Sequence, residues 1–203
     1  MNAPADIRVC FVGDSHVAGT GDPEHRGWVG RVLAQAAVDG IELTAYNLGI
    51  RRETSADIAR RWTVECARRL PEGCRSHVVF SFGVNDTTIE AGHLRVSAED
   101  SMKYLHDVLD AAKSLRRIAM IGPAPTADAA QNRRIGALSE QFNSACKVLQ
   151  VPYLPVFEAL HKNSVWMRQV AANDGAHPQA EGYAEFARLI LGWNGWWFRR
   201  AAP

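Results

Sequence analysis

Five short apolar runs alternate with segments of helical periodicity, and this alternation constrains the fold more than any other feature. The first run, Ile7 to Val12, is almost continuously apolar, as is typical of a parallel strand covered on both faces. Parallel strands joined by helices require right-handed crossovers that place helices on both sides of a sheet. The sequence therefore predicts an α/β fold with strands near residues 7–12, 42–48, 77–82, 117–121 and 151–156.

Length and charge limit the remaining choices. A chain of 203 residues suffices for one well-buried domain and is short for two. We find no internal repeat or linker, so we predict a single domain over residues 1–203. A net charge of +1 gives no electrostatic reason to bind nucleic acid. No stretch approaches the roughly 18 apolar residues that cross a bilayer, so we expect no membrane span.

The cysteines indicate a reducing compartment. The four cysteines are scattered and form no Cys-x-x-Cys pair, so we expect free thiols in a cytoplasmic protein; a Cys66–Cys74 disulfide is the alternative. The segment from Met1 to Arg8 is short and polar and does not resemble a signal peptide. A His-Glu-x-x-His motif and a cysteine–histidine cluster are both missing from the sequence, so it predicts no metal and no cofactor.

Four polar segments fall where predicted strands end or where the last helix begins. Gly13-Asp14-Ser15 follows the first strand, and Gly49 ends the second. Gly83-Val84-Asn85-Asp86 follows the third strand, and Asp174-Gly175-Ala176-His177-Pro178 precedes the last helix. Because the carboxyl ends of parallel strands meet at one edge of a sheet, we expect these segments to lie close together.

Together the segments contain the groups needed for acyl transfer through a serine. The Ser15 hydroxyl becomes a nucleophile when a base takes its proton, and the near-neutral pKa of histidine suits His177 to that role. Asp174 would fix the tautomer of the imidazole. The Ser15 N–H, the Gly49 N–H and the Asn85 amide could hold the oxyanion.

Structural interpretations of the same residues remain open. Asp14 and Ser15 could simply begin a helix, and Gly49 could simply end a strand. Asn85 and Asp86 could form an Asx turn. Within the catalytic interpretation, we expect Asp14 and Asp86 to hold the backbone beside the site.

In order and spacing, the four segments resemble the sequence blocks of the SGNH hydrolases, also called the GDSL esterase/lipase family. The stretches Cys10 to Gly30 and Tyr46 to Trp62 look most like a small bacterial and cyanobacterial subgroup of GDSL lipases. The resemblance implies a three-layer α/β/α fold around a flavodoxin-like sheet of five parallel strands.

The same resemblance implies a serine hydrolase that cleaves small carboxylic esters through an acyl-serine. It implies a site made of Ser15, His177 and Asp174, with Ser15, Gly49 and Asn85 as the oxyanion hole. Sugar acetates, thioesters and lysophospholipids are alternative substrates of that site. A flavodoxin-type ligand-binding module is the non-enzymatic alternative, although the Ser15 turn has few phosphate-binding glycines and hydroxyls.

Two positions depart from the family pattern. His16 replaces the usual leucine after the serine, and we expect its side chain in the sheet–helix layer or at the cleft mouth, where it could contact substrate and tune the site. Arg51 and Arg52 follow Gly49, where the family often has another glycine. We hypothesise that one of these arginines favours a substrate with an anionic group; the alternative is an exposed, solvated pair.

The end of the chain is rich in aromatic and basic side chains. We expect this tail to fold back on the core beside the last helix. A homodimer contact is the alternative, because aromatic residues and arginine are enriched at interfaces. Anchoring to a membrane surface would need a longer amphipathic stretch. The residues concerned are Trp193, Trp196, Trp197, Phe198, Arg199 and Arg200.

Overall fold

The computed structural model describes residues 6–114 and 116–199. Its main sheet consists of β1 (Ile7–Gly13), β2 (Thr44–Gly49), β3 (Arg75–Ser81), β6 (Arg117–Ile121) and β7 (Tyr153–Leu154). Two further strands, β4 (Ile89–Glu90) and β5 (His93–Leu94), form a separate hairpin. Within the described residues the main sheet has five strands, all parallel, in the order β2-β1-β3-β6-β7. The hairpin is antiparallel.

Helices cover both faces of this sheet. They are α1 (Ser15–Ala18), α2 (Gly27–Val38), α3 (Ser55–Ala67), α4 (Ala98–Lys113), α5 (Ala129–Leu149), α6 (Phe157–His161), α7 (Ser164–Ala172) and α8 (Ala180–Gly192), with a 3₁₀ turn at Asn85–Thr87. Helices α3, α4 and α5 contribute to one hydrophobic cluster, and α2, α7 and α8 contribute to the other. The predicted three-layer α/β/α fold is therefore confirmed.

The central strand shows why its sequence is continuously apolar. Cys10 and Val12 of β1 pack in one hydrophobic cluster, whereas Val9 and Phe11 pack in the other. Successive residues of a strand point to opposite faces, and both faces of this sheet are covered by helices. All four side chains are fully buried.

The fifth strand is shorter than the sequence predicts. The apolar run covers residues 151–156, but only Tyr153–Leu154 pairs with β6. Pro152 and Pro155 flank this pair, and proline has no N–H to donate to a sheet. The prolines therefore limit β7 to two residues.

The aromatic tail folds back on the core, as expected. Trp196 and Phe198 are buried in the cluster that contains Phe11. The Trp197 ring lies 4.9 Å from the ring of His77, near the amino end of β3 and far along the strand from its carboxyl edge. Arg200 and the residues from Met1 to Ala5 lie outside the described residues. A homodimer through this tail stays a prediction.

All four cysteines are free thiols, including Cys66 and Cys74. Within the described ranges, every helix is too short or too polar to cross a lipid bilayer.

Candidate active site

The turn after β1 places Ser15 at the carboxyl edge of the sheet. Asp14 is the N-cap of α1, and its Oδ1 accepts a hydrogen bond of 2.9 Å from the His16 N–H. A Cβ on Gly13 would lie 2.0 Å from the carbonyl oxygen of Ser81, so only glycine fits there. Asp14 thus holds the turn, as expected, and Ser15 becomes the first residue of α1.

Ser15, His177 and Asp174 form one hydrogen-bonded chain. His177 Nε2 lies 2.7 Å from Ser15 Oγ, and His177 Nδ1 lies 2.7 Å from Asp174 Oδ2. Because a carboxylate only accepts hydrogen bonds, the Nδ1 proton points to Asp174 and leaves the Nε2 lone pair for the serine hydroxyl. This geometry suits transfer of the hydroxyl proton to the imidazole.

Local hydrogen bonds keep Asp174 ionised. Partial burial opposes ionisation, but bonds from the His177 ring and from the N–H groups of His177 and Ala176 outweigh it and lower the pKa of Asp174 to about 2. Burial, followed by the charge of His16, lowers the pKa of His177 below its ordinary value, against the effect of Asp174. The base form of His177 is therefore favoured near neutral pH.

Asn85 lies in the 3₁₀ turn that follows β3 and lines the same cleft as Asp174. One N–H of its amide donates to the Glu53 carbonyl at 2.8 Å, which fixes the side chain and leaves the second N–H for a ligand. Asp86 supports the turn from behind, because its carboxylate accepts from the Ser55 N–H and from the Ser101 hydroxyl, each at 2.8 Å. Burial raises the pKa of Asp86. Asp86 therefore holds the Asn85 turn, as expected.

The Gly49 N–H already has a partner within the chain. It donates to Asn47 Oδ1 at 3.0 Å, so it could hold an oxyanion at Ser15 only by exchanging that partner, and the predicted role stays a prediction. The Asn47 amide also donates to the Val17 carbonyl at 2.7 Å, which ties β2 to α1. A Cβ on Gly49 would lie 2.2 Å from the Ala18 nitrogen. Gly49 is therefore required because α1 passes directly over it.

The two arginines after Gly49 lie in an exposed turn. Arg52 has a φ of 67°, in the left-handed region that favours glycine. Its side chain is 73% exposed and donates to Glu90 of the hairpin at 2.5 Å. Arg51 is exposed. The arrangement is an exposed pair, as in the alternative interpretation, with a carboxylate partner for Arg52.

His16 occupies the packed layer and not the cleft mouth. The residue is 3% exposed. Its ring stacks on Trp166 at 5.9 Å and lies 5.1 Å from the ring of His177, and its Nε2 lies 3.1 Å from the Ala176 carbonyl oxygen. The ring thus lies in the sheet–helix layer, one of the two expected places, and its contact with substrate stays a prediction.

Sequence reasoning missed Arg61, which supports the nucleophile turn from below. Its guanidinium donates to the carbonyls of Gly13 and Leu48 at 3.1 and 2.9 Å, and it pairs with Glu53. The carbonyls at the ends of β1 and β2 thus share a partly buried cationic donor. The sequence shows that Arg61 directly precedes Trp62, which lies on the apolar stripe of α3. That position does not reveal which groups the guanidinium binds.

A cleft of about 520 Å³ opens between the Asn85 turn and the Asp174 loop. Hydroxyl, amide and carboxylate groups line it together with small apolar side chains. The polar residues are Asn85, Thr88, Thr126, Asp128, Gln131 and Asp174.

The sequence matches the family model of the GDSL-like lipase/acylhydrolase family over residues 11–185. The chain therefore belongs to this family. It is an ester-cleaving hydrolase with the fold that the family resemblance implied.

Solved structures share this fold. The lipase/acylhydrolase from Enterococcus faecalis is 22% identical, with a TM-score of 0.75, over 91% of this chain and 93% of the other. An acetylxylan esterase from Geobacillus stearothermophilus is 18% identical, with a TM-score of 0.76, over 100% of each chain. The comparison with curated proteins gives no match.

Proposed function

We propose that Ser15 is the nucleophile, His177 the general base and Asp174 the residue that orients the base. The observation that carries this proposal is the unbroken chain of hydrogen bonds, 2.7 Å at each step, from Ser15 Oγ through the imidazole to Asp174. Ser15 attacks the ester carbonyl while His177 takes its proton and then delivers it to the leaving alcohol. Water, activated by the same imidazole, releases the acid from the acyl-serine.

Two donors are available for the oxyanion in this proposal. The Ser15 N–H lies in the first turn of α1, where the helix leaves backbone donors unpaired. The second is the Asn85 N–H that does not bind Glu53. The Gly49 N–H would join them only by exchanging Asn47 Oδ1 for the oxyanion. Each such donor contributes about 10²–10³ in turnover.

The proposed substrates are small esters without a negative charge. The cleft beside Asn85 and Asp174 has carboxylates in its lining, and an anionic group would be repelled there. Glu90 already pairs with Arg52, which reduces the support for the anionic-substrate hypothesis. We also propose a cytoplasmic location, which the four free thiols support.

Acetate esters of sugars are the second candidate. What favours them is the polar lining of the cleft, because hydroxyls and amides such as Thr88 and Gln131 match the hydroxyls of a sugar. One of the similar structures is an acetylxylan esterase. Thr88→Val should raise KM for an acetylated methyl xyloside and leave KM for p-nitrophenyl acetate unchanged. An equal effect on both substrates would count against the sugar candidate.

Turnover of p-nitrophenyl acetate tests the catalytic roles. Ser15→Ala and His177→Ala should each lower kcat about as much as the double variant, because the two residues act as one unit. Circular dichroism checks that each variant is folded. Hydrolysis by folded Ser15→Ala at the wild-type rate would refute the assignment.

A further inference from the structure

Both ring nitrogens of His16 face hydrogen-bond acceptors. Nε2 lies 3.1 Å from the Ala176 carbonyl oxygen, which only accepts, so Nε2 carries a proton. Nδ1 lies 3.6 Å from Asp14 Oδ1 and is a buried nitrogen without a hydrogen-bond partner in the described part of the chain. A neutral ring would direct the Nδ1 lone pair at that carboxylate. A doubly protonated ring has a proton for each acceptor.

The ring is enclosed next to the general base. The His16 side chain is 4% exposed and lies between the Trp166 indole of α7 and the imidazole of His177. At 5.1 Å between ring centroids, a charge on one imidazole is felt strongly by the other, because little water separates them. The charged and titratable groups around the two rings are Asp14 on the α1 turn, Asp174 on the His177 loop and Tyr183 on α8.

We propose that His16 is a positioning residue for the general base: its imidazolium pairs with Asp14, holds the Ala176 carbonyl and sets a fixed positive charge beside His177. The inference rests on the proposed function of His177. Ala176 directly precedes His177, so the bond to its carbonyl holds the backbone next to the base, while Asp174 holds the ring of the base.

The fixed charge has a direct chemical consequence. A neighbouring cation disfavours a second positive charge, and His16 is the second cause, after burial, that lowers the pKa of His177. The base form of His177 then persists into mildly acidic solution. The leucine usual at this position in the family fills space but supplies neither the donor nor the charge.

Two substitutions separate the charge from the hydrogen bond. His16→Gln keeps an N–H for the Ala176 carbonyl and removes the charge, whereas His16→Leu removes both. In both variants the acidic limb of kcat/KM should move to higher pH by about one unit. His16→Leu should also lower the plateau. His77→Gln is the matched control, because His77 is similarly buried at the amino end of β3, away from Ser15, and it should leave the limb in place.

An unchanged acidic limb in both His16 variants would overturn the proposal, even if their plateau rates fell, because packing alone would explain such a loss. An equal shift in His77→Gln would overturn it too. If His16→Leu does not fold, the His16→Gln variant still decides the result.

Nitrogen NMR of the histidine rings in the wild-type chain gives a readout that needs no turnover. Both nitrogens of His16 should carry protons at a pH where His177 is neutral. The His16→Gln spectrum assigns the signal. A neutral His16 with its proton only on Nε2 would overturn the inference. Absence of esterase activity with a doubly protonated His16 would instead count against the proposed function.

Discussion

Replacing Gly49 by alanine tests how the nucleophile is positioned. The alanine Cβ would lie 2.2 Å from the Ala18 nitrogen, 2.7 Å from the Val17 carbonyl carbon and 2.8 Å from the Ala18 Cα. All three atoms belong to the backbone of α1, so no side-chain rotation relieves the overlap. Van der Waals contact requires α1 to move away from β2 by about 1 Å.

That movement should slow catalysis. Ser15 is the first residue of α1, and its hydroxyl must remain 2.7 Å from His177 Nε2. A displacement of about 1 Å in a reacting group costs roughly 10²-fold in rate. Overpacking should also lower the free energy of unfolding by about 1–3 kcal/mol. We therefore expect a folded but less stable Gly49→Ala with kcat reduced about 100-fold.

The assay compares kcat for p-nitrophenyl acetate with the midpoint of thermal unfolding. Gly192→Ala is the control, since a Cβ at Gly192 meets no atom within 4 Å. Alanine retains the backbone N–H, so a purely hydrogen-bonding role for Gly49 predicts no loss of kcat. A Gly49→Ala enzyme with wild-type kcat would refute the packing argument and restore the donor role.

Three further perturbations address other parts of the molecule. Because the pKa of folded His177 is lowered and its base form is required, the midpoint of the acidic limb of kcat/KM should lie below pH 6.5. A midpoint above pH 6.5 would contradict this. Arg52→Ala should change the ratio of kcat/KM for neutral and carboxylated esters by no more than about twofold, whereas Glu90→Gln should raise the relative rate for the carboxylated ester by freeing Arg52. A tenfold change of that ratio in Arg52→Ala would support the anionic-substrate hypothesis. Trp196→Ala should lower the free energy of unfolding in urea by about 3 kcal/mol without changing kcat, because the indole is buried against the rings of Phe11 and Phe198. An unchanged unfolding midpoint would show that the tail is not part of the core.

The positions of Ser15 and His177 could be predicted because strand ends share an edge. Residues separated by 162 positions meet there, since each follows or precedes an element whose type the apolar pattern reveals. Both residues lie at the same edge of the sheet, so they meet however far apart they are in the sequence. Residue chemistry then identifies the roles that they are suited to.

The partners of individual polar groups could not be predicted in the same way. The Gly49 N–H was expected to be free, but the Asn47 rotamer that occupies it depends on where α1 lies. The contact of His16 with Ala176 spans 160 positions and depends on the path of the His177 loop. Hydrophobic periodicity carries no information about such bonds, because they depend on rotamers and loop paths.

Short elements could not be predicted from the hydrophobic pattern either. The hairpin of Ile89–Glu90 and His93–Leu94 has two residues in each strand, which is too few to show an alternation. Its Glu90 nevertheless pairs with Arg52 and so gives that arginine a carboxylate partner. The apolar run that contains β7 was visible, but the prolines within it decided how much of it pairs.

Labelling with a fluorophosphonate, followed by mass spectrometry of the tryptic peptides, tests the central claim most directly. The reagent reacts only with a serine whose proton is taken by a neighbouring base. The account predicts one adduct, on Ser15, that is lost in a folded His177→Ala variant. An adduct on another serine, or an unlabelled Ser15 in a chain that still hydrolyses esters, would contradict it.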